Sequence, residues 1–337
     1  MNIATDRQLF VDRILIDRLT NAVLKLHEPV SGGVAIRIDK PWESPVNFGA
    51  SVIHHQGQYL LYYRVIGVKE DRSALCVALS EDGVTWRKPH LGQVLWKDGS
   101  DTNIIAGDPN AGDFEFNSAP WVDTRPGVPA SEIIKATTSE PVSGERHTAY
   151  ADPGGPKRLV FWGSADGLVF HKLNPQPDLV SHLPNCFDGG NSLFWSDVEN
   201  RYVLYCRCWS PSGRSMARTT SPDLMRWEEP VVMTTGDAPA EQFYVNNTMP
   251  YFRAPQYYIA PAARFMEGRR VVTDEQVQAI GLQMAHGHFY GNDCSDGVLL
   301  TTRAGATHYD RTFMETFIRP GLGASNWVSR TNYPLTG

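Results

Sequence analysis

The phrase SEDGVTW (residues 80–86) recurs along this chain as SADGLVF (164–170), SPDLMRW (221–227) and TRAGATHYD (302–310). Each version gives a Ser or Thr, a turn with Asp or Gly, and then an aromatic residue. Each follows short runs of β-branched and aromatic residues with a period of two, the pattern of antiparallel strands. A repeated unit of three or four such strands is typical of a propeller blade. The sequence therefore predicts an all-β fold, and a β-propeller in particular. The alternative is a β-sandwich in which the similar turns arose by chance.

Composition narrows the class of protein. The chain has 337 residues, 42% of them hydrophobic and 20% charged, which describes a soluble globular protein. The net charge is −6 and the basic residues do not cluster, so neither nucleic acid nor an anionic membrane is expected as a partner. No apolar run approaches the ~18 residues of a membrane span, and no signal peptide is visible. A cytoplasmic location follows as an expectation, with the oligomeric state open and a homo-oligomer allowed.

The cysteines indicate no cofactor. There are five, an odd number, and none forms a C-x-x-C pair. Buried free thiols are a simpler interpretation than a zinc site or a set of disulfides. The sequence therefore predicts neither a metal nor another cofactor.

The two ends of the chain carry separate expectations. Residues 1–40 are predicted to form a strand or helix segment that packs on the propeller, and residues 41–337 to form the propeller itself. Within the first part, VDRILIDRLTNAVLKL (11–26) fits a helical period, although a strand is allowed. The last stretch, 325–337, resembles the approach to a further inner strand. Either the N-terminal region completes the last blade, or that blade is incomplete in this chain.

Candidate site residues lie at the start of each blade. Propellers build sites at one end of the central channel, from residues on or just before the innermost strands. Carboxylates, amides, Arg and flat rings at these positions suit sugar hydroxyls and the apolar face of a sugar ring. The candidates are Trp42, Glu43 and Asn47 for blade one, Asn117 for blade two, Asp188 and Asn191 for blade three, Glu241, Gln242 and Asn246 for blade four, and Arg330 in the last segment.

The chain resembles the five-bladed propeller glycoside hydrolases, the superfamily of invertase, levansucrase and arabinanase. It is most similar to uncharacterised bacterial proteins described as family 32 N-terminal-like, through LFVDRILIDRL, KPWESP, YLLYYR, FDGGNSLFW, GDAPAEQFYVN and FIRPGL. The resemblance implies a five-bladed plan and three acids: an Asp before blade one, an Asp in blade three and a later Glu as proton donor. Asp188 and Glu241 fall where the second and third belong. Blade one has NFGAS in place of the Asp, and Glu43 is the nearby acid.

These residues predict a glycoside hydrolase or transglycosidase that acts on an oligo- or polysaccharide. Glu241 would be the general acid, with its pKa raised by apolar neighbours, Asp188 a stabilising carboxylate and Glu43 the base or nucleophile. Structural roles compete with each assignment: Asp188 could order a Gly-Gly turn, Glu43 could be a solvated surface acid, and Asn246 could hold backbone groups. A catalytically silent sugar-binding propeller is the alternative function, and a scaffold whose channel binds water or an ion is a third.

Overall fold

The computed structural model describes residues 6–43, 47–69, 72–105, 120–142, 155–280, 290–329 and 331–334, with side chains left out at residues 47–50, 66–69, 72, 73 and 290. Four antiparallel sheets follow one another along the chain, and each is one blade of a β-propeller. No helix of the described part is long and apolar enough to span a membrane.

The first three blades each add strands from the inside outward. Blade one contains β1 (Asn47–His55), β2 (Gln58–Lys69), β3 (Arg72–Ser80) and β4 (Ile104–Ile105). Blade two contains β5 (Trp121–Val122), β6 (Ile134–Pro141), β7 (Lys157–Ser164), β8 (His171–Lys172) and β9 (Val180–Ser181), with β8 and β9 both paired to β7. Blade three contains β10 (Ser192–Ser196), β11 (Arg201–Ser210), β12 (Gly213–Ser221) and β13 (Val231–Val232).

Blade four has an interrupted inner strand. Its two pieces, β14 (Gln242–Asn246) and β15 (Met249–Tyr251), both pair with β16 (Ala254–Met266), whose other edge pairs with β17 (Cys294–Arg303). Between the pieces, Asn246 Oδ1 accepts a hydrogen bond from the backbone N–H of Thr248, which holds the break in place. Among the residues that the structure describes, helical structure is confined to α1 (Asp274–Ile280) and three single 3₁₀ turns at Ala130–Glu132, Tyr290–Asn292 and Ala324–Asn326.

The repeated phrase occupies one position in every blade, as the sequence predicted. It follows the third strand: β3, β7, β12 and β17. In the first three blades the Asp carboxylate accepts hydrogen bonds from the backbone N–H groups two and three residues later, and the Ser hydroxyl donates to that carboxylate. These Asx turns satisfy backbone donors that the ending strand leaves unpaired.

Hydrophobic cores lie between neighbouring blades, and the aromatic residues of three of the four phrases pack into them. Phe170 packs between blades one and two, Trp227 between blades two and three, and Tyr309 between blades three and four. Trp86 packs against a core that blade one shares with Ile36, Ile38 and Trp42. The propeller architecture is therefore confirmed in its repeated turns and in its packing. All five cysteines are buried free thiols, also as predicted.

Residues 6–43, here called the N-terminal segment, contain no helix and no strand. The prediction of a helix over 11–26, with a strand as the alternative, is therefore wrong. The segment is held by contacts to other parts of the chain: the carbonyl of Val11 accepts a hydrogen bond from Thr301, and Asp12 pairs with Arg303. Phe10, Ile14 and Val23 are largely exposed, so the apolar residues that repeat with a helical period do not pack together against the propeller.

The described residues form four blades, whereas the resemblance implied a five-bladed plan with an open question about the last blade. The N-terminal segment connects the two ends of this array. It contacts blade four through residues 7–12 and blade one through residues 36–43. It adds no strand to either sheet within the described residues. The division into residues 1–40 and 41–337 remains a prediction.

Candidate functional site

A pocket of about 390 Å³ opens at the start of the inner strand of blade four. Strand β14 begins at Gln242, so Glu241 and Gln242 are delivered to the pocket by the end of the strand rather than by its core-facing positions. The hairpin tip between β11 and β12 and the end of β16 form the other walls. The lining residues are Ser212, Ala240, Glu241, Gln242, Arg264, Phe265, Met266, Glu267 and Arg269.

Glu241 is held by two arginines. Its Oε1 accepts a hydrogen bond from Arg264 Nη1 at 2.7 Å, and its Oε2 accepts one from Arg311 Nε at 2.8 Å. Burial alone would raise the pKa of Glu241, but the hydrogen bonds from Arg311 and Arg264 outweigh burial, so the pKa lies below its ordinary value. Arg264 also pairs with Asp296, whose carboxylate accepts a hydrogen bond from the Thr316 hydroxyl. Glu241 is therefore an ionised carboxylate, where the sequence argument required a raised pKa.

Asp188 forms an ion pair with an arginine. Its carboxylate pairs with the guanidinium of Arg207, which lies in the middle of strand β11. Burial opposes the charge of Arg207, but Asp188 and then Tyr244 stabilise it, so the pKa of Arg207 is raised. The turn at Asp188 is also tightly packed: a Cβ on Gly190, whose φ is +69°, would lie 3.2 Å from the backbone of Val245 on β14. The Asp188 turn and strand β14 are therefore direct neighbours.

The ring of Tyr244 lies between two guanidinium groups. The Arg207 guanidinium carbon is 4.4 Å from the ring centroid, and that of Arg214 is 5.2 Å away. Arg214 Nη1 donates to Gln242 Oε1 at 2.9 Å, and Gln242 Nε2 donates to Glu267. A continuous set of contacts thus links Asp188, through Arg207, Tyr244 and Arg214, to Gln242 beside Glu241. The two acids that sequence analysis singled out are connected across the junction of blades three and four.

Glu43 and Trp42 lie elsewhere, in the core beside blade one. The Glu43 carboxylate accepts hydrogen bonds from Tyr63, from Lys88 and from two backbone N–H groups. Burial opposes its charge, but these bonds, that of Lys88 first, place the pKa of Glu43 below its ordinary value. Trp42 is buried and its indole N–H donates to Asn103 at 2.8 Å. As the structure places them, both side chains serve the packing of blade one, and Glu43 is not a solvated acid.

The amide candidates divide into two groups. Gln242 lines the pocket, whereas Asn246 and Asn191 are buried. Asn246 holds the break in the inner strand, and Asn191 Nδ2 lies 3.5 Å from the carbonyl of Phe187. Three further candidates cannot be placed by their side chains: Asn117 and Arg330 lie outside the described residues, and the side chain of Asn47 does too.

Sequence analysis missed the cations of the site. Arg207, Arg214, Arg264 and Arg311 hold or flank the predicted acids, and none was named as a candidate. Arg207 carried a usable signal, because a charged residue within the apolar run YVLYCRCW requires a buried partner. Arg264 and Arg311 carried no such signal, since they lie 23 and 70 residues from Glu241.

The site has no evident metal centre. Within the described ranges, no three His, Cys, Asp or Glu side chains converge as metal ligands would.

No protein-family profile matches the chain, and no curated protein matches it by sequence. Solved structures do match its fold. A structure titled as a glycoside hydrolase is 11% identical, covers 87% of this chain and 80% of its own, and superposes with a TM-score of 0.51. An N-acetylgalactosamine deacetylase from F. plautii is 14% identical, with 79% and 76% covered and a TM-score of 0.49. A family 32 β-fructofuranosidase from Bombyx mori is 13% identical, with 80% and 47% covered and a TM-score of 0.46. The chain therefore shares its fold with the structure titled as a glycoside hydrolase.

Proposed function

We propose that this protein is a glycoside hydrolase or transglycosidase that acts on an oligo- or polysaccharide at the blade-four pocket. One observation carries the proposal: Glu241 and Gln242 open onto a pocket at the start of an inner strand, the place where propellers build their sites. The match in fold to a structure titled as a glycoside hydrolase agrees with this function.

The two arginines change the role that Glu241 would take. A general acid must hold a proton near neutral pH, which requires a raised pKa. Glu241 has a lowered pKa and is ionised. An ionised carboxylate suits the second role in glycoside hydrolysis, that of the base, the nucleophile or the stabiliser of an oxocarbenium-like transition state. We therefore assign Glu241 to that role and Gln242 to the hydroxyls of the sugar.

The test compares two substrates of different leaving-group ability. For Glu241→Gln we expect turnover to fall by about 10²–10⁴-fold, and equally for an unactivated glycoside and for its nitrophenyl counterpart. The equality follows because a base or nucleophile acts on both substrates, whereas a good leaving group would rescue the loss of a general acid. Glu229→Gln, which alters an exposed acid, is the control and should retain turnover. A much smaller loss on the nitrophenyl substrate would restore the general-acid role.

A second function, that of a silent sugar-binding propeller, is favoured by one observation. Each of the three predicted acids is paired with a cation: Glu241 with Arg264 and Arg311, Asp188 with Arg207, and Glu43 with Lys88. A panel of aryl glycosides and polysaccharides separates the two functions. Binding measured by calorimetry without turnover of any member would establish the silent propeller, and turnover would exclude it.

A further inference from the structure

Arg214 stands out at the site because, within the described part of the chain, its guanidinium forms no hydrogen bond or ion pair with a carboxylate. Its hydrogen bonds go to the neutral amide oxygen of Gln242, from Nη1 at 2.9 Å and from the backbone N–H at 3.4 Å. Its Nε is buried and has no hydrogen-bond partner among the described residues. The guanidinium lies 5.0 Å from the ring centroid of Trp209 and 4.2 Å from that of Phe265. A half-buried cation is thus held between rings and an amide.

Burial and then the charge of the neighbouring Arg207 lower the pKa of Arg214. The charge of Glu267 favours the charged form of Arg214 but only partly offsets the two effects that oppose it. The charge of Arg207 is itself balanced by Asp188. Glu267 is exposed, and its carboxylate accepts a hydrogen bond from Gln242 instead of from Arg214. Placing an incompletely compensated cation in a partly desolvated position costs free energy that a bound anion would offset.

The position of Arg214 is also fixed. Gly213, with φ at +100°, allows the hairpin tip to approach Gln242 so closely that a Cβ there would lie 2.6 Å from the Gln242 side chain. Gln242 and Phe265, which both contact Arg214, line the pocket. The guanidinium is therefore preorganised at the edge of the pocket, and its planar fork matches the two oxygens of a carboxylate.

We propose that the blade-four pocket takes an acidic saccharide whose uronate carboxylate is bound by Arg214. This inference rests on the proposed function in that both place a saccharide in the same pocket. It goes further in naming the substrate class, since a guanidinium that has no carboxylate partner among the described residues lies against Gln242 and Phe265 of the pocket wall.

The experiment compares acids with their neutral esters. The probes are the trisaccharides of galacturonate, glucuronate and mannuronate, each beside its methyl ester, with binding measured by calorimetry. For the wild-type protein we expect at least one acid to bind tenfold or more tightly than its ester, and this preference to shrink as salt rises. Arg214→Gln should bring the ratio to within about threefold, because it removes the charge and keeps a polar side chain.

Two further variants separate binding from folding. Arg226→Gln alters an exposed arginine of a blade-three turn and should keep the full preference for the acid. Arg214→Lys keeps the charge without the fork and should keep part of the preference. The thermal midpoint of Arg214→Gln should stay within a few degrees of wild type, because the charge that is removed is half-buried and only partly compensated.

The possible results separate this inference from the proposed function. If acid and ester bind alike, or if Arg214→Gln keeps the ratio, the inference fails, while cleavage of a neutral glycoside would leave the proposed function standing. Binding of inorganic phosphate without any uronate overturns the inference as well. A uronate that binds with the expected preference over its ester but is never cleaved supports the inference and contradicts the proposed hydrolase function. A protein that neither binds nor cleaves any saccharide overturns both.

Discussion

Glu241 joins two buried or half-buried arginines, so its charge contributes to stability as well as to the pocket. Its side chain is 11% exposed, and that of Arg311 is 1% exposed. Glu241→Gln would leave both guanidinium groups with weaker partners, and we expect it to lower the free energy of unfolding by about 2–3 kcal/mol. Urea unfolding measures this. Glu267→Gln, at an exposed acid of the same pocket, should cost less than about 1 kcal/mol. If both variants lower the free energy of unfolding equally, Arg264 and Arg311 do not depend on the Glu241 carboxylate for their stability.

The same carboxylate predicts a pH dependence. Its pKa is lower in the folded protein than in the unfolded chain, so its contribution is complete above the unfolded value of about 4.3. It is lost as pH falls through the folded value. The stability difference between wild type and Glu241→Gln should therefore be constant above about pH 6 and narrow below about pH 4. A difference that widens in acid would mean that the folded pKa is raised.

The positions of candidate residues were predictable from sequence where they depend on the start of a strand in the blade. Glu241 and Gln242 were placed correctly at the start of an inner strand because strand periodicity and turns locate that start. The partners of Glu43 could not be found in this way. Tyr63 and Lys88 lie 20 and 45 residues along the chain, and only the pairing of β2 with its neighbours brings them to the carboxylate.

Among the structural elements, the Ser-x-Asp-Gly turns agree best with the prediction from sequence. The hydrogen bonds that form these turns join residues two or three positions apart, so the local sequence determines them. The segment 11–26 shows the converse. Its helical period was real, but its conformation depends on contacts with residues near 301 and 303, which periodicity does not report. Local hydrogen bonds thus determine the conformation of the turns, whereas contacts with distant residues determine that of segment 11–26.

Two glycines of equivalent turns should respond differently to substitution. Gly83 and Gly167 have φ values of +73° and +77°, so alanine costs about 1 kcal/mol of backbone strain at either position. A Cβ at Gly83 would meet the Tyr59 ring at an ordinary 3.6 Å, whereas one at Gly167 would lie 2.3 Å from the Tyr62 hydroxyl. That hydroxyl also donates to the Gly167 carbonyl and joins blades one and two.

We therefore expect Gly167→Ala to lower the free energy of unfolding by about 3 kcal/mol and Gly83→Ala by about 1 kcal/mol, since overpacking adds to strain at the first position. Unfolding of both variants by guanidinium chloride under the same conditions gives the comparison. If the two losses match, Tyr62 moves freely and the contact between the blades is loose.

The whole molecule is held by packing between successive blades and by the N-terminal segment at the two ends of the array. Three of the four large cores lie between blades, and the fourth lies between blade one and residues 36–42. The segment thus covers a face of blade one in the way that one blade covers the next. Sequence analysis gave completion of the last blade by the N-terminal region as one of two alternatives, whereas the described part of the segment adds no strand to a sheet. Which strands the segment would contact was not readable from its residues.

The other end of the segment provides the last test. Asp12 is buried, pairs with Arg303 at 2.7 Å, and anchors the segment to β17 of blade four. Asp12→Asn removes the anion and leaves Arg303 with a neutral partner, so we expect a loss of about 2 kcal/mol in the free energy of unfolding. Amide hydrogen exchange in β16 and β17 should accelerate, because the segment protects that end of the sheet. Glu28→Gln is the matched control within the same segment. Its carboxylate and Arg319 are 70% and 61% exposed, so its loss should stay below about 0.5 kcal/mol with exchange unchanged. If Asp12→Asn is as mild as this control, the segment lies on the propeller without holding it, and the stability of blade four comes from its contacts with blade three.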